Sequence, residues 1–391
     1  MRRIVSSYYQ RPMEEGALDI ELARRWLNRR SHPLMPKRLL VPCWLIVALA
    51  LWADAPLDAQ RNGIRAVVND SHFHLTDYIQ HGPDIHDFLK LMGDSVGRVA
   101  LFGIPFQQEW LYSSTGDDAP SYYLSSDAPL YYYSFTDAYI AMQYRSLSRE
   151  EQARFDPMIT GFNPGDLYAA EHIRRVLRTF PGVFTGIGEF SVHKEFVSDK
   201  ARPGPATLLG PALDSILAAA GEIGLLTIIH NDMDTPFASG AEEPAYLEQM
   251  KALVRRHPKT TIIWAHTGVG RATRPVKYHA AVLASMLADP TLSNLYFDIS
   301  WDVVAEQFME SPATVHATAS LIKRFPDRFL FGTDAVGPVT AGAYLNTYAV
   351  YGPLWAKLTP EASAKVRVGN YERLFGTARN RVRAWEAAHR Q

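Results

Sequence analysis

Residues 64–74 read Ile-Arg-Ala-Val-Val-Asn-Asp-Ser-His-Phe-His. The β-branched start predicts a strand, and strand alternation places His72 and His74 on one side with Phe73 on the other. The run breaks into polar residues where an open doubly wound sheet would more often carry a glycine-rich phosphate turn. Seven more strand-like runs follow: Arg98–Ile104, Asp156–Phe162, Phe184–Phe190, Leu226–His230, Thr260–His266, Leu295–Ser300 and Phe329–Asp334. Between them, the stretches Tyr168–Phe180, Gly210–Gly224, Glu243–His257, Val276–Leu287 and Pro312–Phe325 carry apolar residues at helical spacing. Strands alternating with helices call for a parallel sheet, and eight such units predict a closed α/β fold, the (β/α)8 TIM barrel. The alternative is an open doubly wound sheet.

A barrel of this kind places its active site at the C-terminal ends of the strands. His72 and His74 fall at the end of the first run, Glu189 at the fourth, His230 at the fifth, His266 at the sixth and Asp334 at the eighth. Imidazole and carboxylate donors suit zinc, and a carboxylate-containing set also accepts manganese or iron. Taken singly, a strand-end histidine is as readily a satisfied polar residue, and an Asp after Gly-Thr is often a turn or helix cap. Six such residues at one rim are not explained by six unrelated structural roles. Asp298 and Asp302 flank the seventh run and read as capping or supporting residues. His193 and Lys194 read as a solvated loop. Arg271 reads equally as a binder of a substrate carboxylate and as a surface salt bridge.

These residues resemble the amidohydrolase superfamily, especially the amidohydrolase-2 branch that includes aminocarboxymuconate semialdehyde decarboxylase. The resemblance spans about residues 64–376 and rests on Asp70-Ser71-His72-Phe73-His74, Ala265-His266-Thr267-Gly268, Phe331-Gly332-Thr333-Asp334 and the closing segment Gly369–Gly376. Gly188-Glu189 departs from that branch and resembles TatD-type hydrolases, in which a fourth-strand glutamate bridges two metals. The resemblance implies one divalent ion, zinc first, held by His72, His74, His230 and Asp334. A second ion would be held by Glu189 and His266. Bound metal brings the pKa of water to about 7. Asp334 would then accept a proton and pass it on, and His266 would hold the second ion or steady an oxyanion.

Around this core the chain is less regular. Residues 105–137 form an aromatic-rich insertion after the second strand, expected to be a lid or pocket wall. Residues 39–53 are an uncharged apolar run, short for a membrane span of about 20 residues. Lys37 and Arg38 precede it and small residues follow, so residues 35–59 read as a secretory signal peptide and residues 1–34 as an over-extended start. Export to the periplasm or medium follows, with no stable membrane span after cleavage. The remaining 60–391 would be one domain.

Composition narrows the functional classes. The 391 residues carry 40 basic and 41 acidic side chains, and 47% are hydrophobic, as in a folded globular chain. From residue 60 onward 31 basic residues face 35 acidic ones, a net charge of -4 that does not favour nucleic-acid binding. The one cysteine, Cys43, lies inside the apolar run, so no disulfide framework and no cysteine-only metal site exists in the chain. The leading expectation is a metal-dependent hydrolase of an ester, lactone or amide of a small organic molecule. A metal-dependent decarboxylase of an unsaturated or aromatic acid uses the same residues. A TatD-type nuclease and a non-catalytic binding barrel rank lower, and a homo-oligomer is compatible with the sequence.

Overall fold

The computed structural model describes residues 67–238 and 243–389. The signal-peptide reading of 35–59 and the start-site reading of 1–34 lie outside the described residues. So does the start of the first predicted strand. Nine parallel strands make the main sheet: β1 (Val68–His74), β2 (Val96–Phe102), β3 (Phe155–Ile159), β4 (Gly186–Ser191), β5 (Leu226–His230), β6 (Ile262–Trp264), β7 (Leu295–Asp298), β8 (Phe329–Leu330) and β9 (Ala335–Val336). Neighbours follow chain order. β8 pairs with β7 at one edge, and β9 pairs with β1 at the other, with Phe73 opposite Ala335 and His74 opposite Val336. Only residues 331–334 separate β8 from β9, so the sheet curls until its edges meet. Across that seam Ser71 N–H donates to the Phe331 carbonyl (3.0 Å) and Asp334 N–H to that of His72 (2.7 Å). β8 and β9 are two pieces of one eighth barrel strand, and the fold is the expected (β/α)8 barrel.

The strands are buried on both faces, as parallel strands covered by helices must be. Inside the barrel Ala100, Phe102, Met158, Ile228, Ile263 and Leu330 pack together with Tyr371, Leu374 and Phe375 of the helix Asn370–Ala388. That helix plugs the N-terminal end. Outside, Phe73 faces away from the histidines and stacks on Phe88 with centroids 3.9 Å apart. The helices Ala169–Thr179, Pro211–Ile223, Leu247–Arg256, His279–Ala288 and Pro312–Arg324 bury their apolar faces against the sheet. Their ends obey local rules. Pro312 sits at the first helical position behind a Ser311–Thr314 capping box, and Gly224 ends its helix at φ 90°.

The insertion is a small structure of its own. Phe106–Gln108 and Leu130–Tyr132 pair antiparallel, and Leu130–Tyr132 then pairs with Ala201–Arg202. Tyr78, Ile104, Phe106, Tyr123, Leu130 and Val197 form a separate apolar cluster beneath them. Among the described residues no helix is long and apolar enough to cross a membrane.

The plugged end is tied by charge. Asp156, fully buried, accepts from Arg98 Nη2 (2.6 Å), Arg379 Nε (3.0 Å) and the Tyr371 hydroxyl (2.8 Å). One carboxylate thus joins β2, β3 and the plugging helix. Removing its charge takes from Arg379 its carboxylate partner and leaves Arg98 with Glu372 alone. Asp156→Asn is expected to lower unfolding free energy by roughly 3 kcal/mol in urea titration, with turnover per folded molecule unchanged. Wild-type stability in that variant would contradict this role for the network.

Candidate metal centre

The unplugged end collects the polar residues. His72 and His74 finish β1, Glu189 lies in β4 and His230 finishes β5. His266 follows β6, and Asp334 lies between β8 and β9. All six side chains converge. His72 Nε2 and His74 Nε2 lie 3.3 and 3.0 Å from Asp334 Oδ1, and 3.7 and 3.4 Å from Glu189 Oε2. The other Glu189 oxygen, Oε1, faces His230 Nδ1 at 2.5 Å and His266 Nε2 at 3.5 Å. Two donor groups result, His72–His74–Glu189–Asp334 and Glu189–His230–His266, each with its atoms within 4.8 Å of one another. Glu189 belongs to both. His230 thus stands with Glu189 and His266, whereas the resemblance implied a place beside His72 and His74.

The backbone here adopts conformations that most residues avoid. His266, Thr267, Trp301 and Asp334 have φ of 54°, 54°, 70° and 51°. Such left-handed residues cost of order 1–3 kcal/mol each and cluster at functional sites. Two glycines are sterically required. A Cβ on Gly188 (φ 115°) would stand 2.2 Å from the Ile228 carbonyl oxygen, and one on Gly332 would stand 2.6 Å from His72 Cβ. The first lets β4 approach β5 beside Glu189, and the second lets the seam close against the histidine.

A second layer orients the imidazoles. His72 Nδ1 lies 3.0 Å from Asp298 Oδ2, His74 Nδ1 3.4 Å from the Gly103 carbonyl, His230 Nε2 3.1 Å from Asp232 Oδ1 and His266 Nδ1 2.8 Å from Ser300 Oγ. Ser300 Oγ gives its own hydrogen to Asp298 Oδ1, so it accepts from His266. Each of these ring nitrogens therefore donates. The opposite nitrogen of every ring points to the shared centre, toward Glu189 or Asp334, and loss of the proton there would leave the tautomer that metal ligation requires. His72 Nε2 and His266 Nε2 are buried and have no hydrogen-bond partner. Buried polar atoms are rarely left so, and the donor set fits a divalent ion.

Charges within the centre are strongly coupled. Burial opposes ionisation of Glu189, but the Lys194 ammonium and His230 hold its carboxyl well below the usual range. Burial also works against the charged form of His72, yet Asp334 and Asp298 hold it well above the usual histidine value. His230 is pushed up to about 9, because Glu189 and Asp232 outweigh burial and the Lys194 charge. A bound dication would take over the neutralising work of these protons.

Several residues stand elsewhere than the sequence suggested. Lys194 is buried, not solvated: its Nζ lies 3.7 Å from Glu189 Oε1 and 5.5 Å from the centre of the Trp301 ring. His193 stacks on Tyr246 instead of reaching the site. Arg271 forms no ion pair among the described residues and donates to the Tyr122 hydroxyl at 3.0 Å. Asp298 is a supporting residue, whereas Asp302 accepts from the next residue's N–H and from Asn346. Asp232 and Ser300 were missed. Each lies two residues beyond an identified polar residue on its strand, and that spacing was the available signal. Beside the donors opens a cavity of about 280 Å³, lined by His74, Tyr78, Lys194, Arg271, Trp301 and Asp334 among others. Tyr122 brings the 105–137 insertion into its wall, beside Tyr78 of the loop after β1.

Comparison with solved structures returns low-identity likenesses. A proposed 2-pyrone-4,6-dicarboxylic acid hydrolase from Pseudomonas putida is 13% identical with a TM-score of 0.48, over 80% of this chain and 98% of that one. An amidohydrolase from Burkholderia multivorans with bound zinc is 14% identical with a TM-score of 0.49, over 80% and 99%. Dihydroorotase from Campylobacter jejuni is 13% identical with a TM-score of 0.47, over 79% and 83%. No curated protein matches the chain. The sequence model of the amidohydrolase family matches residues 70–377, most of the chain. This chain therefore belongs to the amidohydrolase family and is an enzyme of that superfamily.

Proposed function

We propose that the enzyme is a metal-dependent hydrolase acting on an ester, lactone or amide bond of a small organic substrate, and that its two donor groups, which share Glu189, would hold two divalent ions. The observation that carries this reading is the set of four imidazoles, each held through one ring nitrogen by a supporting residue while the other nitrogen points at the same two carboxylates. His72, His74 and Asp334 would hold one ion and His230 and His266 the other, with one Glu189 oxygen on each. Zinc suits the nitrogen-rich set best. Bound there, a divalent ion acts as a Lewis acid toward a carbonyl and acidifies water.

The chain's own residues supply the proton handling. Asp334 lines the cavity and points one oxygen at His74 and the other toward His266. From there it takes a proton from attacking water and returns it to the leaving alcohol or amine. Asp298 and Ser300 keep His72 and His266 in position through this transfer. Lys194 faces the same cavity and offsets negative charge that develops on the carbonyl oxygen. A decarboxylase would use the same donors, so the fate of water decides between them: hydrolysis incorporates ¹⁸O from labelled water into the product.

Three outcomes are expected. Chelation abolishes turnover of a panel of 4-nitrophenyl esters, γ-lactones and anilides, and zinc restores it. Full turnover by the chelated protein would sink the proposal. Asp334→Asn lowers kcat by about 10²–10⁴-fold, the range for loss of a general acid–base, in protein whose metal content is measured alongside. An unchanged kcat would remove Asp334 from proton transfer. Elemental analysis finds two zinc ions per wild-type chain and at most one in Glu189→Ala. One ion in both would refute the bridge.

A further inference from the structure

A second cavity lies apart from the donors. It measures about 600 Å³ and opens on the outer side of the barrel wall, between the helices His279–Ala288 and Pro312–Arg324. It shares no lining residue with the cavity beside Asp334. Its walls are mostly apolar, with Leu283, Phe308, Leu321 and Phe329 all buried. Two polar side chains interrupt them, His279 and Gln307, at 8% and 7% exposure. One end of each is engaged. Gln307 Nε2 donates to the Gly270 carbonyl at 3.2 Å. Thr267 Oγ1 gives its hydrogen to the His266 carbonyl, so at 3.2 Å it accepts from His279 Nε2. The other ends, His279 Nδ1 and Gln307 Oε1, have no hydrogen-bond partner. Burial holds the His279 ring neutral, with its pKa down at about 4, so Nδ1 carries a lone pair. The cavity therefore has two buried acceptors that no donor of the described residues meets, and buried polar atoms are rarely left so.

We propose that this cavity is a second binding site, distinct from the metal centre, for a neutral and largely apolar small molecule that carries a hydroxyl group, an alcohol or phenol. The hydroxyl donates to His279 Nδ1, and the apolar body lies between the two helices. The chemistry follows from the lining. Acceptors call for a donor, and an ionised carboxylate has none to offer. Arg274 and Glu310, exposed at the rim, pair with each other at 2.8 Å, so the entrance holds no unpaired charge for an ion. An apolar wall behind that rim makes a charged ligand costly to bury. Size excludes a lone water as the occupant, since one water takes about 30 Å³. At about 600 Å³ the cavity lies within the range of small-molecule pockets, roughly 300–1,000 Å³. The site stands or falls independently of the hydrolase reading.

The test is binding, not turnover. The probes are para-ethylphenol and its methyl ether, para-ethylanisole, which keeps the apolar body and loses the donor. Each is titrated calorimetrically into the zinc-loaded full chain, then into His279→Phe and Ala317→Trp. The first variant removes the acceptor with little change of shape. Ala317 lines the cavity and is exposed on its helix, so a tryptophan there covers the opening without entering the core. The phenol is expected to bind about tenfold more tightly than the ether, as one added hydrogen bond allows. His279→Phe should bring the two probes within about threefold of each other. Ala317→Trp should weaken both by about tenfold or more with the thermal midpoint unchanged, and it decides alone if His279→Phe does not fold. No saturable binding, equal affinity for the two probes, or phenol affinity indifferent to the variants would overturn the site. A wild-type dimer that binds no phenol and that Ala317→Trp dissociates in sedimentation would also overturn it, and would make the groove an interface between copies of the chain.

Discussion

The arrangement depends on one closure. β1 takes its last partner from β9, four residues beyond the strand that pairs with β7. Asp70 fastens this seam: its carboxylate accepts the Thr333 N–H (2.9 Å) and hydroxyl (2.6 Å) and also the His72 N–H (3.0 Å). Burial lifts the Asp70 carboxyl to about 6 against those donors. Because the seam passes through residues 331–334, closing the barrel and delivering Asp334 to His72 and His74 are the same event. A barrel that failed to close would keep Glu189 before its histidines but lose Asp334 from them.

Orientation is the second layer of the same logic. Asp298 receives His72 with one oxygen, and Ser300 and the His266 N–H with the other. One buried carboxylate therefore aims two imidazoles that come from different strands. The left-handed residues at 266, 267, 301 and 334 are the conformational cost of that convergence. They are held by surrounding bonds such as that from Trp301 N–H to the Thr333 carbonyl. Stability is concentrated at the plugged end and chemistry at the open end, a division suited to changing one without the other.

Much of this was legible in the residues. Short β-branched or aromatic runs located each barrel strand to within a few residues, and the six candidate donors follow from asking which polar residues end those runs. The eighth run was read as continuous, yet it is split. The kink at Asp334 and the tight approach of Gly332 to His72 are tertiary facts that no periodicity encodes. The grouping of His230 with Glu189 was equally hidden, since it depends on β4 and β5 being neighbours at a particular register. Lys194 read as solvated because a lysine usually is. Its burial comes from Glu189 and Trp301, the latter distant in sequence. The insertion's aromatic content was plain, but its pairing with Ala201–Arg202 was not, because that contact joins separate βα loops.

The central claim is that these six side chains hold metal in two groups sharing Glu189. Anomalous diffraction from crystals of the zinc-loaded chain, collected on both sides of the zinc edge, tests it directly. The account predicts one peak about 2.0–2.2 Å from His72 Nε2, His74 Nε2 and Asp334, and a second at that distance from His230 and His266, the range for zinc–nitrogen and zinc–oxygen bonds. Glu189 should span the two. Fully occupied crystals with no anomalous peak among these side chains would contradict it.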